Sequence, residues 1–181
     1  MRYITLLAVL GFLLTGCSMS NTFGDKTEKQ TESKELSTKE KQKAILEYIN
    51  KDVKKVSDLE TEAYNSLLSV SGENFTDDNT MLAEIDNKVL PAYEKAVKEA
   101  KNLKPKIKEL EEPTQQIVKT TETFLEALRL QKEALEKQDK QLMEEANKKM
   151  LEHQSLLEKY HAEMEKLTKK YNVNYEPNRM N

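Results

Sequence analysis

Leu135-Glu136-Lys137-Gln138-Asp139-Lys140-Gln141-Leu142 decides the fold. Leu135 and Leu142 hold one helical phase and no Gly or Pro separates them, so periodicity alone carries a single helix straight through. Against this, a turn and a half passes without an apolar side chain, and Asp139 is a residue type whose carboxylate caps helix starts. A tight hairpin at Asp139 divides the chain into four helices and predicts an all-α, antiparallel up-down four-helix bundle. Without it, one helix runs from Pro113 to Tyr171 and the chain becomes a long coiled-coil hairpin or a dimer. The cap at Asp139 favours the bundle.

Outward from this stretch, apolar positions recur at spacings of three and four. Toward the C-terminus the series is Leu142, Ala146, Met150, His153, Leu157, Tyr160, Met164, Leu167 and Tyr171, ending at Asn172 before a polar tail over 172–181. Toward the N-terminus, a helix opened by Pro113 or Thr114 carries Ile117, Thr121, Phe124, Leu128 and Leu135 on one face. Before it, Leu82, Ile85, Val89, Tyr93, Ala96, Ala100, Leu103, Ile107 and Leu110 keep phase through Pro91 and Pro105. That predicts one helix kinked twice, with a true break near Pro105 as the alternative. The first series, Ile45, Ile49, Val53, Val56, Ala63, Leu67 and Val70, follows Ser37 and Glu40, which are spaced as a capping box. Ser71-Gly72-Glu73-Asn74 ends it, and Asp77 or Asp78 caps the next start. A lone helix cannot bury such a stripe, so the four are expected to pack together over residues 38–171.

Composition agrees. The 181 residues are 34% charged and 6% aromatic, with no Trp, four Gly and four Pro, which is poor in sheet and turn formers and suits long helices. Lys and Arg number 29 against 32 Asp and Glu, a net −3, so there is no uniform field to attract nucleic acid. A single Cys excludes an intrachain disulfide framework.

That Cys has a particular setting. Arg2 supplies a minimal positive start, and the mostly apolar run from Ile4 to Leu14 leads into Thr15-Gly16-Cys17. A spanning helix needs about twenty apolar residues, so this run reads as a targeting segment. Leu14-Thr15-Gly16-Cys17 resembles the bacterial lipobox, in which small residues precede a Cys that receives diacylglycerol before cleavage on its N-terminal side. The resemblance implies a signal peptide over 1–16, a lipidated Cys17, and a protein held on the extracytoplasmic face of the cell membrane. Two acyl chains, at about 0.8 kcal/mol per buried CH₂, give stable anchoring where one gives marginal binding. Loss of 1–16 removes Arg2 and no acidic residue, leaving 28 basic against 32 acidic side chains, so lipid rather than charge would hold the domain. Residues 17–37 are polar without apolar period and are expected to act as a disordered tether spanning on the order of 25 Å.

Chemistry-bearing residues are few. Glu158 and His161 form a Glu-x-x-His pair, but a ferritin-like di-metal bundle needs a second such pair, and Met150 stands where His153 would require the Glu. His153 falls on the apolar stripe, as expected of a hydrogen-bonded core imidazole; eight residues from His161, it could share a surface zinc contact, yet no metal site is assigned. The Lys-rich segments 98–108 and 166–170 read as solvated faces, with contact to teichoic acid or lipid headgroups as the alternative. Met150 and Met164 read as core filler. Tyr48, Tyr64, Tyr93, Tyr160 and Tyr171 lie at or near stripe positions. No phosphate loop, nucleophile elbow or metalloprotease motif is present, and no catalytic or cofactor-binding residue is assigned.

The order of lipobox, polar tether and four Lys/Glu-rich helices resembles small helical lipoproteins of low-GC Gram-positive bacteria, including those described as cell-wall-binding. The stretches behind this are Val89-Leu90-Pro91-Ala92-Tyr93, Glu136-Lys137-Gln138-Asp139 and Leu167-Thr168-Lys169-Lys170-Tyr171. The resemblance carries little function with it; a membrane-tethered bundle without catalytic motifs is expected to be a non-enzymatic binding or structural module at the envelope, engaging a cell-wall polymer or another envelope protein. A surface protein of exclusion or regulatory type acting on a membrane machine is the alternative, and a metal-binding bundle ranks last.

Overall fold

In the computed structural model, which describes residues 36–177, 84% of those residues are helical and none lies in a strand. Cys17, the lipobox, most of the expected tether and residues 178–181 lie outside the described residues. Four long helical segments account for most of the rest, and no described helix is long and apolar enough to cross a membrane.

The first helix covers 38–68. Ser37 caps it as a full box: its hydroxyl accepts from the Glu40 N–H at 3.4 Å, and the Glu40 carboxylate accepts from the Ser37 N–H at 2.8 Å. Midway, Tyr48–Val53 widens into a π-helical segment before α geometry resumes at Lys54. Gly72, at φ +57°, makes the turn that follows, in a region where a side chain would be strained.

The second helix covers 78–101, with Asp77 as the cap, accepting from the Thr80 N–H at 3.0 Å. A second π segment, Ile85–Val89, lies immediately before Pro91. The Leu90 N–H bonds back to the Ile85 carbonyl, so the ladder has already slipped by one residue where the proline's missing donor would break it. The helix continues through Pro91 for this reason. It does not continue through Pro105: it ends at Lys101, and Ile107 is fully extended at φ −136°, ψ 150°. Pro105 cannot donate, and it disfavours helical geometry at Lys104, so the break replaces the expected kink. Ile107 and Leu110 are nonetheless buried, delivered by an extended segment and a short 3₁₀ turn, Lys108–Leu110, instead of a helix.

The third helix, Glu111–Lys137, begins slightly before the expected Pro113 or Thr114, both of which fall in its first turn. Thr114 caps nothing; its hydroxyl donates to the Leu110 carbonyl at 2.6 Å. The helix stops where the hairpin reading places the stop. Gln138 is left-handed (φ 52°, ψ 39°), and Asp139 caps the fourth helix, Lys140–Lys170, accepting from the Gln141 N–H at 2.8 Å. The continuous helix from Pro113 to Tyr171 is thereby excluded.

The stripes meet in three buried groups, one around Ile85, Val89 and Leu128, a second around Ile45 and Met164, and a third of Val56 with Ala96 and Ala100. Buried Thr120, Thr121 and Thr168 avoid stranded hydroxyls by donating to carbonyls three or four residues back in their own helices. The third and fourth helices pack most extensively against each other.

Candidate functional site

The first π segment turns Ile49, Asn50 and Val53 toward a cleft of about 240 Å³ between the first and fourth helices. Lys54, Ser57, Glu60 and Thr61 continue this wall; Ile117 of the third helix and Leu157, Tyr160 and His161 of the fourth close it. After the fourth helix, Asn172 turns the chain at φ 51°, and Tyr175 and Glu176 form the remaining side.

Glu60 is the unusual member. It is half-buried, and its carboxylate accepts from the Tyr93 hydroxyl of the second helix at 2.8 Å. Burial pushes the Glu60 carboxyl up to about 7, against the downward pull of that hydrogen bond. Among the described residues no Lys or Arg pairs with it. Lys54, the cation in the lining, is held by Asp58, whose two carboxylate oxygens lie 2.6 and 2.7 Å from its Nζ.

Tyr160 and Tyr175 line the cleft beside Asn50, Ser57 and Thr61, and Tyr48 is buried behind Tyr160. The Tyr48 and Tyr160 hydroxyls share a hydrogen bond, and the Tyr48 hydroxyl lies 3.2 Å from that of Thr114. Burial pushes Tyr48 up to about 12 and raises Tyr160 and Tyr175 as well, so these hydroxyls keep their protons at neutral pH. His161 Nδ1 lies 2.7 Å from the Tyr175 hydroxyl, which ties the segment after the fourth helix to that helix. The cleft thus offers apolar walls and one half-buried carboxyl, an arrangement suited to holding a small group with a polar head.

The two histidines are not brought together. His153 is buried away from the cleft, its Nδ1 3.1 Å from the Thr120 carbonyl and its ring 4.7 Å from Phe124, and burial lowers its basicity. Glu158 is exposed. Among the described residues, no group of three or more His, Cys, Asp or Glu is arranged to hold a metal ion. In the Lys-rich segments, Lys101 pairs with Glu122 and Lys106 with Glu47, each at 2.6 Å. Tyr48, Tyr93, Tyr160 and Tyr171 are buried, Tyr64 is partly so, Met164 is fully buried, and Met150 packs against the core.

Sequence reasoning passed over Glu60 and Tyr175. The signal for Glu60 was present: it sits four residues after Val56 and three before Ala63, a carboxylate on the apolar stripe itself. Tyr175 lies beyond the last helical period, where no periodicity marks burial. No known protein family, curated protein or solved structure matches this chain.

Proposed function

We propose that the chain is a lipoprotein of the extracytoplasmic membrane face, anchored through diacylglycerol on Cys17, whose helical domain acts by binding rather than catalysis. The domain is an antiparallel up-down four-helix bundle in this reading. Cross-helix pairs in which one number rises as the other falls support the arrangement: Glu60 with Tyr93 and Ser66 with Glu84, Glu94 with Arg129 and Lys101 with Glu122, Glu126 with Lys149 and Thr120 with His153. A domain tethered on that face meets cell-wall polymers and other envelope proteins, and one of these is the source of the bound group in this reading.

The observation that carries the binding reading is the cleft, where the Glu60 carboxyl sits beside apolar walls. The test is fractionation of cells expressing the full chain and its Cys17→Ser variant. The wild type stays with membranes through detergent-free washing, and its processed N-terminus carries the lipid mass; C17S is released or mislocalised with its helical circular dichroism unchanged. Retention of C17S on washed membranes, or an unmodified residue 17, overturns the anchor.

A further inference from the structure

We propose that the cleft binds a small organic cation, a primary ammonium carried on a short apolar arm, with the ammonium on Glu60 and the arm against Ile49, Val53, Ile117 and Leu157. The inference rests on reading this cleft as a binding site and adds the chemistry of its ligand.

Charge selects the head. Glu60 and Glu176 line the cleft, while Lys54, the only ammonium in the lining among the described residues, is drawn to Asp58 one turn along its own helix. The Glu60 carboxylate has one hydrogen bond, from Tyr93, and an ionised carboxylate has lone pairs to spare. Anions are disfavoured beside it, and a neutral alcohol gains one hydrogen bond without compensating the half-buried charge. An ammonium supplies both charge and donors, and bonds of that kind are roughly twice as strong as neutral ones. The apolar share of the wall selects the arm, and the volume sets its length: about 240 Å³ is below the roughly 300 Å³ at which pockets for drug-sized molecules begin.

A cation at this position also draws the proton from Glu60. The ligand therefore binds more tightly as pH rises through the range where the free carboxyl ionises. The other charged or titratable groups facing the cleft or Glu60 itself are Lys54 on the same helix, Tyr93 on the second, Tyr160 and His161 on the fourth, and Tyr175 and Glu176 after it.

Hexylammonium, hexanol and hexanoate share one arm and differ in the head. Titrated into the full chain in non-ionic detergent and followed by amide shifts of residues 57–61 and 157–161, hexylammonium gives saturable shifts, tighter at about pH 8 than at about pH 6. Hexanol binds roughly tenfold more weakly or not at all, and hexanoate does not bind. Glu60→Gln keeps an acceptor for Tyr93 and lowers hexylammonium affinity by about tenfold or more, with most of the pH dependence between these values lost. Head-independent binding, or unaltered binding in E60Q, overturns the ammonium assignment while leaving a binding cleft. Absence of saturable shifts with all three probes overturns the assignment and the binding cleft together.

Discussion

Glu60 carries a folding cost that can be measured without any ligand. An unfolded glutamate titrates near 4.5, whereas burial in the cleft holds this carboxyl at about 7, so the native state favours its protonated form. A carboxyl raised on folding contributes stability that is fully present at acid pH and is lost as pH climbs from the unfolded value to the folded one. Glu60→Gln, neutral throughout, removes this loss. The difference in unfolding free energy between E60Q and wild type should therefore grow in favour of E60Q from about pH 4.5 to 7 and level off above, reaching at most roughly 3 kcal/mol, less whatever water in the cleft screens. Urea titrations at four or five pH values read this directly, and a flat difference would mean that the carboxyl is well hydrated. His153 contributes with the opposite sign, because burial lowers it. Subtracting the two proteins cancels its contribution.

Elements were legible in the sequence wherever the signal was local, and less so where backbone geometry answered a conflict. The Ser37–Glu40 box and the Asp77 and Asp139 caps are carboxylates or hydroxyls bonded to N–H groups two or three residues away, so spacing alone identifies them. Pro105 deceived the periodic reading because Ile107 and Leu110 are buried in phase although the backbone between them and Ala100 is not helical. The π segments carry no compositional mark, yet one of them shapes the cleft. Gln138 is the clearest remaining conflict, a side chain held at φ +52° in a two-residue connection. Glycine accepts that geometry without the steric penalty. Gln138→Gly should raise stability by about 0.5–1 kcal/mol, and Asp139→Ala, which leaves the Gln141 and Leu142 N–H groups without their cap, should lower it by about 1 kcal/mol. Thermal melts showing both changes in the same direction would count against this account of the hairpin.

On the scale of the domain, one ionic knot joins parts of the chain that are far apart in sequence. Lys41 of the first helix lies 2.7 Å from Glu109, just before the third helix; the Tyr171 hydroxyl donates to the same carboxylate at 2.7 Å; and the Gln42 side chain donates to the Tyr171 carbonyl at 2.7 Å. The ammonium and the phenol hold the Glu109 carboxyl far below the usual range, at about 2. Its sign is opposite to that of Glu60. A depressed carboxyl contributes stability that is present above the unfolded value near 4.5 and lost as pH falls toward 2. With the Glu109 side chain 23% exposed, solvent screening reduces the contribution to roughly 1–2 kcal/mol. Glu109→Gln should therefore cost about that much at neutral pH and nothing near pH 2, the difference closing between these limits. Because the knot joins the start of the first helix to the end of the fourth, its loss should also speed hydrogen exchange at both of those ends before it affects the core around Leu128. Equal acceleration at Leu128 and at the two ends would mean that the domain opens only as a whole, with the knot acting on its total stability instead of fastening one end.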